Sequence, residues 1–551
     1  MNKKIIGRGI MAAALAAVMI TPAFAADAEN LLTIGAPADL KNVPAKPFTG
    51  EKITFTIPDL LPSAMKTEPI QGVVGTKFTV SGGGAPANAD VTLTWSTADG
   101  SWIVDAQPNT ANYRGLKYTK YPIKMVTVKA DANGNYSYST EAPQDWGGPH
   151  DIYALVDGKA IAKGGFQTNV SFTISPKSGP IGTPINIHYT GLGMTLYTGG
   201  MAVLWDNGFA GEAQAVWTRG TADVKIIAAG PVGTHQITAS DSLNAVYMNL
   251  RQSPNPYSKG GVQQFRTTKD NGIFTPYLEY PQTVNVMDAQ KTTNIASNLD
   301  PASKAVASVD VSAGVVGSKA KVSVSGLSTT GDHQIVWATV VGNRVNCTTG
   351  VCWVYAGVPM GNATAVDGKI SADVTIPDHL GGWHVIQIKS GDKVEAQVPF
   401  YVKQSILVFK DKNGKEVTKG VALADPSPLP EARDGAGTPT YSFKAGEDLT
   451  IAVKGVGWTQ FDNTLAVTYD NSYIGYGCGF NSNGYVVFHM TATGTPGTHI
   501  IRLHPLLYSN QPSYANTPYT MLPLLSSVND NPAIALGYQI PTYTFAIKIV
   551  K

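Results

Sequence analysis

One pattern returns four times along the 551 residues, and it restricts the fold more than any other feature of the chain. Each copy opens with a turn and a strand: "GVVGTKFTVSG" from Gly72, "GPIGTPINIHYTG" from Gly179, "GVVGSKAKVSVSG" from Gly314 and "KAGEDLTIAVKG" from Lys444. Three and five residues after Gly75, Gly182, Gly317 and Gly446 stand Phe78 and Val80, Ile185 and Ile187, Ala320 and Val322, Leu449 and Ile451. Side chains alternate across a strand, so this spacing predicts one buried face in every copy. A second apolar strand follows and carries one aromatic residue: Trp95, Trp205, Trp337 or Tyr469. A turn and then a Gly and His corner complete each copy, with His150, His235, His384 and His499 two residues before Ile152, Ile237, Ile386 and Ile501.

Turn, strand, aromatic strand, hairpin and corner is the order of an immunoglobulin-type sandwich, in which an aromatic residue of the third strand packs in the core. The expected fold is therefore all-β: four tandem immunoglobulin-like β-sandwich domains. Alternation places each corner histidine on the same face as the isoleucine that follows it, so the imidazole should look inward and satisfy a backbone group. A catalytic or metal-binding histidine needs converging partners, whereas these occur once per copy and more than 80 residues apart. The four histidines and their four aromatic residues are expected to be structural, and no metal or cofactor is expected.

"SPKSGPIGTPINIHYTGLG", from Ser175 to Gly193, resembles the opening of the bacterial immunoglobulin-like repeats related to the immunoglobulin-like, plexin and transcription factor family. The match is good for this copy and partial for the other three. In secreted bacterial proteins the resemblance implies surface modules used as spacers, adhesins or docking domains, with no catalytic residues to transfer.

A second level of repetition lies above the first. Gly182, Gly191, Asp206, Gly220, Gly233 and His235 recur as Gly446, Gly455, Asp470, Gly484, Gly497 and His499, all displaced by 264 residues. The second and fourth copies are thus closest kin, and the first and third share a plainer ending, which points to a duplicated two-domain unit. Boundaries follow from composition. We expect a leader at 1–25, a linker at 26–49, and domains at 50–173, 174–300, 301–403 and 404–551. The short joints predict a fairly stiff rod.

"MNKKIIGRGIMAAALAAVMITPAFA" has a basic start, an apolar middle and small residues before Ala26, the pattern of a secretory signal peptide. No later apolar run approaches the roughly 20 residues that a spanning helix needs, so no integral membrane segment is expected in the mature chain. An exported protein in the periplasm, on the cell surface or outside the cell is the expectation. Without Lys3, Lys4 and Arg8, the 41 basic residues fall to 38 against 39 acidic ones, a formal balance of −1. That argues against a nucleic-acid partner held by phosphate neutralisation. Export permits disulfides, and "TTGV" between Cys347 and Cys352 can place the two opposite each other on a hairpin, leaving Cys478 over.

Function is expected in the loops. The insertions after the second and fourth histidine strands share an Asn, Pro, Tyr cluster: Asn255, Pro256 and Tyr257 against Asn516, Pro518 and Tyr519. Tyr247, Tyr257, Tyr277 and Tyr280 in one, with Tyr508, Tyr514 and Tyr519 in the other, are candidates for an aromatic contact surface; the alternative is that they cover sandwich edges or seal a joint. The first copy has its own insertion, where Trp102, Tyr113, Tyr118 and Tyr121 are interleaved with Arg114, Lys117 and Lys120, a combination suited to stacking on sugars or meeting an acidic partner. There is no "HExxH", "GxSxG", phosphate loop or haem "CxxCH". "DANGN" at Asp131 and "DKNGKE" at Asp411 lack the full calcium ligand series and read as hairpin turns. The expectation is a non-catalytic structural or adhesive binding protein, with protein partners or self-association. The alternatives are an accessory docking subunit of an exported enzyme or electron-transfer complex, and a carbohydrate-binding protein.

Overall fold

The computed structural model describes residues 31–40, 48–107, 110–194, 199–241, 261–270, 277–287, 299–328, 330–342, 353–411, 441–479, 482–509 and 520–551. It is almost entirely β, with one short helix among these residues, Pro532–Ala535.

The period of two read from the sequence is the packing pattern of the strands. In Lys319–Ser325, Ala320, Val322 and Val324 are buried while Lys319, Lys321 and Ser323 face solvent. Lys77–Gly82, Pro184–Thr190 and Asp448–Lys454 bury Phe78 and Val80, Ile185 and Ile187, and Leu449 and Ile451 in the same way.

In the second copy, Ser171–Ser175, Pro184–Thr190 and Ala222–Ile227 form one antiparallel sheet. Opposite it, Ser178–Gly179, Gly261–Thr267, Gly233–Asp241, Gly200–Trp205 and Gly208–Gln214 form a second, whose first pair is parallel. Ile185, Ile187 and Ile226 from one sheet and Val203, Trp205, Ile237 and Phe265 from the other make a single core. The third copy repeats the arrangement with sheets of three and five strands, and its core holds Trp337 against Ile386 and Phe400. The fourth has a three-stranded sheet facing one enlarged to seven strands. In the first, Ser63–Glu68 pairs antiparallel with Lys77–Gly82 and parallel with Lys159–Thr168, so the two layers join. All of this is β-sandwich architecture.

The expected rod is not what forms. The first copy's strands Asp90–Gln107 and Thr110–Lys129 run far past their own sandwich. Their distal part delivers Trp102, Val104 and Tyr113 into an apolar cluster with Trp217 of the second copy, Tyr401 of the third, and Phe461, Ala533, Leu536 and Tyr538 of the fourth. The second and fourth copies also touch directly. Asn471 donates from its amide to Ile227 O at 2.7 Å, and Ile181, Ile227, Ile500 and Ala546 share a small core. The rod expectation rested on the brevity of the joints, but a short joint limits only the distance between neighbours. It leaves buried apolar surface free to fold the array back on itself.

Candidate functional site

The four corners were the first candidates for chemistry. Each imidazole lies against its copy's aromatic residue: His150 on Trp95 at 4.2 Å between ring centres, His235 on Trp205 at 4.6 Å, His384 on Trp337 at 4.7 Å and His499 beside Tyr469 at 5.6 Å. Their ring nitrogens fall into two patterns. In the first and third copies both nitrogens face carbonyls: His150 meets Ser96 O and Trp146 O at 2.7 Å each, and His384 meets Ala338 O at 3.2 Å and Gly381 O at 3.1 Å. In the second and fourth, one nitrogen faces a carboxylate. His235 Nδ1 is 2.5 Å from Asp206 Oδ2, and His499 Nδ1 is 2.6 Å from Asp470 Oδ2.

Local sequence explains the difference. Asp206–Asn207 and Asp470–Asn471 have positive φ at both residues, as a type I′ hairpin turn requires, and that turn aims each carboxylate at the corner. Burial pushes His384 down to about 4, against the raising effect of its carbonyl contacts. At His499 burial also lowers the value, but the hydrogen bond and charge of Asp470 outweigh it and the net shift is upward. Both nitrogens of every ring are thus engaged within the fold, and among the described residues no group of three or more His, Cys, Asp or Glu side chains is arranged to hold a metal.

The first insertion does not offer the surface expected of it. Trp102 is 0% exposed and Tyr113 8%, both inside the shared cluster, so neither ring is free to stack on a sugar. Trp102 Nε1 donates to Asp530 Oδ1 at 2.8 Å, and the backbone N–H of Trp217 donates to Asp530 Oδ2 at 3.2 Å. Asp530, on the fourth copy, thereby ties together the first, second and fourth. Burial lifts its carboxyl to about 7 against the lowering effect of those two bonds. Asp462 lies in the same region: Thr459 donates to its Oδ1 from N and Oγ1, its Oδ2 has no partner, and burial raises it too to about 7. Tyr118 meets the edge of Trp146 at 5.2 Å. Tyr121 donates to Asp99 at 2.8 Å beneath Lys52 and accepts from Arg219 at 2.6 Å, a network that seals the first joint.

The tyrosine-rich insertions are only partly described. Tyr277–Glu279 leaves the second copy and pairs antiparallel with Thr542–Val550 of the fourth, so it extends another sandwich's sheet. Tyr280 packs against that same core. Tyr508 lies in Gly497–Ser509, opposite Met521. Tyr247, Tyr257, Tyr514 and Tyr519 lie outside the described residues, as do Cys347 and Cys352. Cys478 is a partly buried free thiol.

Sheet edges remain. Thr110–Lys129 is covered at Pro122 and Lys124 by residues 51–53, and Gly208–Gln214 is met by Leu525 N–H, which donates to Glu212 O at 2.8 Å. The matching outer strand of the third copy, Trp353–Ala365, pairs among the described residues on one side only, with Gly331–Gly342. It is thirteen residues long and contains no Asp, Glu, Lys or Arg. Pro359 beside the register shift removes one N–H, leaving Trp353–Val358 as its unbroken part, next to exposed Tyr355 and Val341.

No family model matches the chain, and no curated protein matches it. Solved structures similar to it include Salmonella alpha-2-macroglobulin, at 9% identity over 94% of this chain and 31% of that one, with a TM-score of 0.15. Red sea bream transglutaminase is 12% identical over 38% of this chain and 32% of that one, with a TM-score of 0.15. A membrane anchored protein from Corynebacterium diphtheriae is 12% identical over 89% and 91%, with a TM-score of 0.17. The chain spans about a third of the length of the first two.

Proposed function

We propose that this is an exported, non-catalytic binding protein of four immunoglobulin-like sandwiches, related to the bacterial repeats that "SPKSGPIGTPINIHYTGLG" resembles, and that it docks a protein partner. The carrying observation is the uncharged outer edge Trp353–Ala365, which among the described residues pairs on one side only, whereas its counterparts in the first and second copies are met by other parts of the chain. An open edge presents a row of unpaired N–H and C=O groups, which an extended partner segment satisfies by adding a strand, while flanking side chains select its sequence. The contacts that fold the four copies together favour docking over a spacer role, which depends on length. Burial of Trp102 and Tyr113 removes the support for sugar binding through the first insertion.

The test is crosslinking with mass spectrometry on native cells, disulfides left unreduced. Crosslinks from residues flanking 353–358 to one other protein, lost in a Tyr355→Lys variant that melts at the wild-type temperature, are the expected result. Crosslinks within this chain alone, unchanged by that substitution, would refute the docking role.

A further inference from the structure

The first and third copies share a corner but not its filling. In the first, the buried carboxylate of Asp145 accepts from Trp95 Nε1 at 2.8 Å, from Thr97 Oγ1 at 2.8 Å and from the N–H of Trp146 at 2.9 Å. Counting from the aromatic residue, Trp337 and Thr339 of the third copy occupy the places of Trp95 and Thr97. Counting five residues back from the corner histidine, His379 occupies the place of Asp145. The Nδ1 contacts of the two corners match, since His150 meets Ser96 O and His384 meets the equivalent Ala338 O, while the Nε2 contacts are offset by one residue, to Trp146 O and Gly381 O.

The donors have stayed and the acceptor has gone. Trp337 is 0% exposed and Thr339 2%, and Trp337 Nε1, Thr339 Oγ1 and His379 Nδ1 are all buried without a hydrogen-bond partner. A buried donor or acceptor without a partner is costly, and these three occupy the positions that meet in the first copy, so they call for a common partner. We propose that Trp337, Thr339 and His379 hold one buried water molecule, in the place that the Asp145 carboxylate fills in the first copy. Water is the group that fits all three: it accepts from the indole and the hydroxyl and donates to the lone pair on Nδ1, three bonds being typical of an internal water. A small anion accepts from the same two donors, but it faces that lone pair; Asp378, next along the chain, is exposed and paired with Lys454. Burial holds the His379 ring below its ordinary value, in keeping with a neutral, accepting Nδ1, while Asp378 acts in the opposite sense.

Crystals of the full chain, native and soaked in bromide, test this. The expected result is a peak within about 3.2 Å of both Trp337 Nε1 and Thr339 Oγ1 that shows no bromide anomalous signal. In a His379→Asp variant that peak should give way to the new carboxylate, and the melting temperature should rise by about 2–4 °C. Bromide at the site would overturn the proposal in favour of an anion site. A His379 nitrogen bonded directly to the Trp337 indole, with no peak between them, would overturn it in favour of a sealed corner. If the variant does not fold, the native crystals decide between these outcomes.

Discussion

Asp530 joins three copies through one carboxyl group. Its bond to Trp102 spans 428 residues of sequence, and the Trp217 N–H is 313 residues away. Replacing Trp102 with alanine removes a fully buried ring and orphans one carboxylate oxygen, and should cost about 3–5 kcal/mol in denaturant unfolding. Titration adds a second expectation. Asp530 and Asp462 have folded values raised to about 7, so their contribution is full below the unfolded carboxyl range and is lost as pH rises through 7. His499, raised by Asp470, has the same sign: its contribution is full below the unfolded histidine value and lost above its own. His384, lowered to about 4, has the opposite sign and loses stability as pH falls from about 6.5 toward 4. Between pH 4 and 6.5 the two signs oppose. Above 6.5 only the first remains, so the melting temperature should fall between pH 6.5 and 8, and by less in an Asp530→Asn, Asp462→Asn double variant. The histidines were legible in the sequence because they recur at one place in a repeat. Asp530 was not, because it is one acid in a loop whose partners become neighbours only after folding.

At the scale of elements, the strands that alternate were legible and the strands that travel were not. Lys319–Ser325 announces its buried face by period alone, but three residues such as Tyr277–Glu279 carry no period. Nothing local says that they will pair with Thr542–Val550 of the fourth copy, not with a neighbour. A Leu278→Pro substitution should release that pairing, and hydrogen exchange at Thr542, Tyr543 and Thr544 should speed up at least tenfold while the third copy stays protected. The corner histidines test a different element. His150→Ala uncovers the face of Trp95 and leaves unmet the carbonyl to which the ring N–H donates, so it should destabilise the first copy by about 2 kcal/mol, with metal content by elemental analysis unchanged.

For the whole molecule, the sequence shows a spacing of 264 residues, and contacts at the joints recur beside it. Gly147 N–H donates to Leu192 O at 2.9 Å in the first pair, and Gly381 N–H to Val456 O at 2.9 Å in the second. A Cβ on Gly147 would lie 1.8 Å from Gly191 O, and one on Gly381 1.7 Å from Gly455 O, so both joints depend on backbone meeting backbone. How the two pairs close on each other was not legible, because the closing surface is assembled from Trp102, Trp217, Tyr401 and Tyr538, which belong to four different copies. Small-angle X-ray scattering of the protein at pH 6.5 tests that closure most directly. A folded-back array of this length should give a radius of gyration of about 25 Å, whereas the same sheets strung end to end would give roughly twice that and contradict the account.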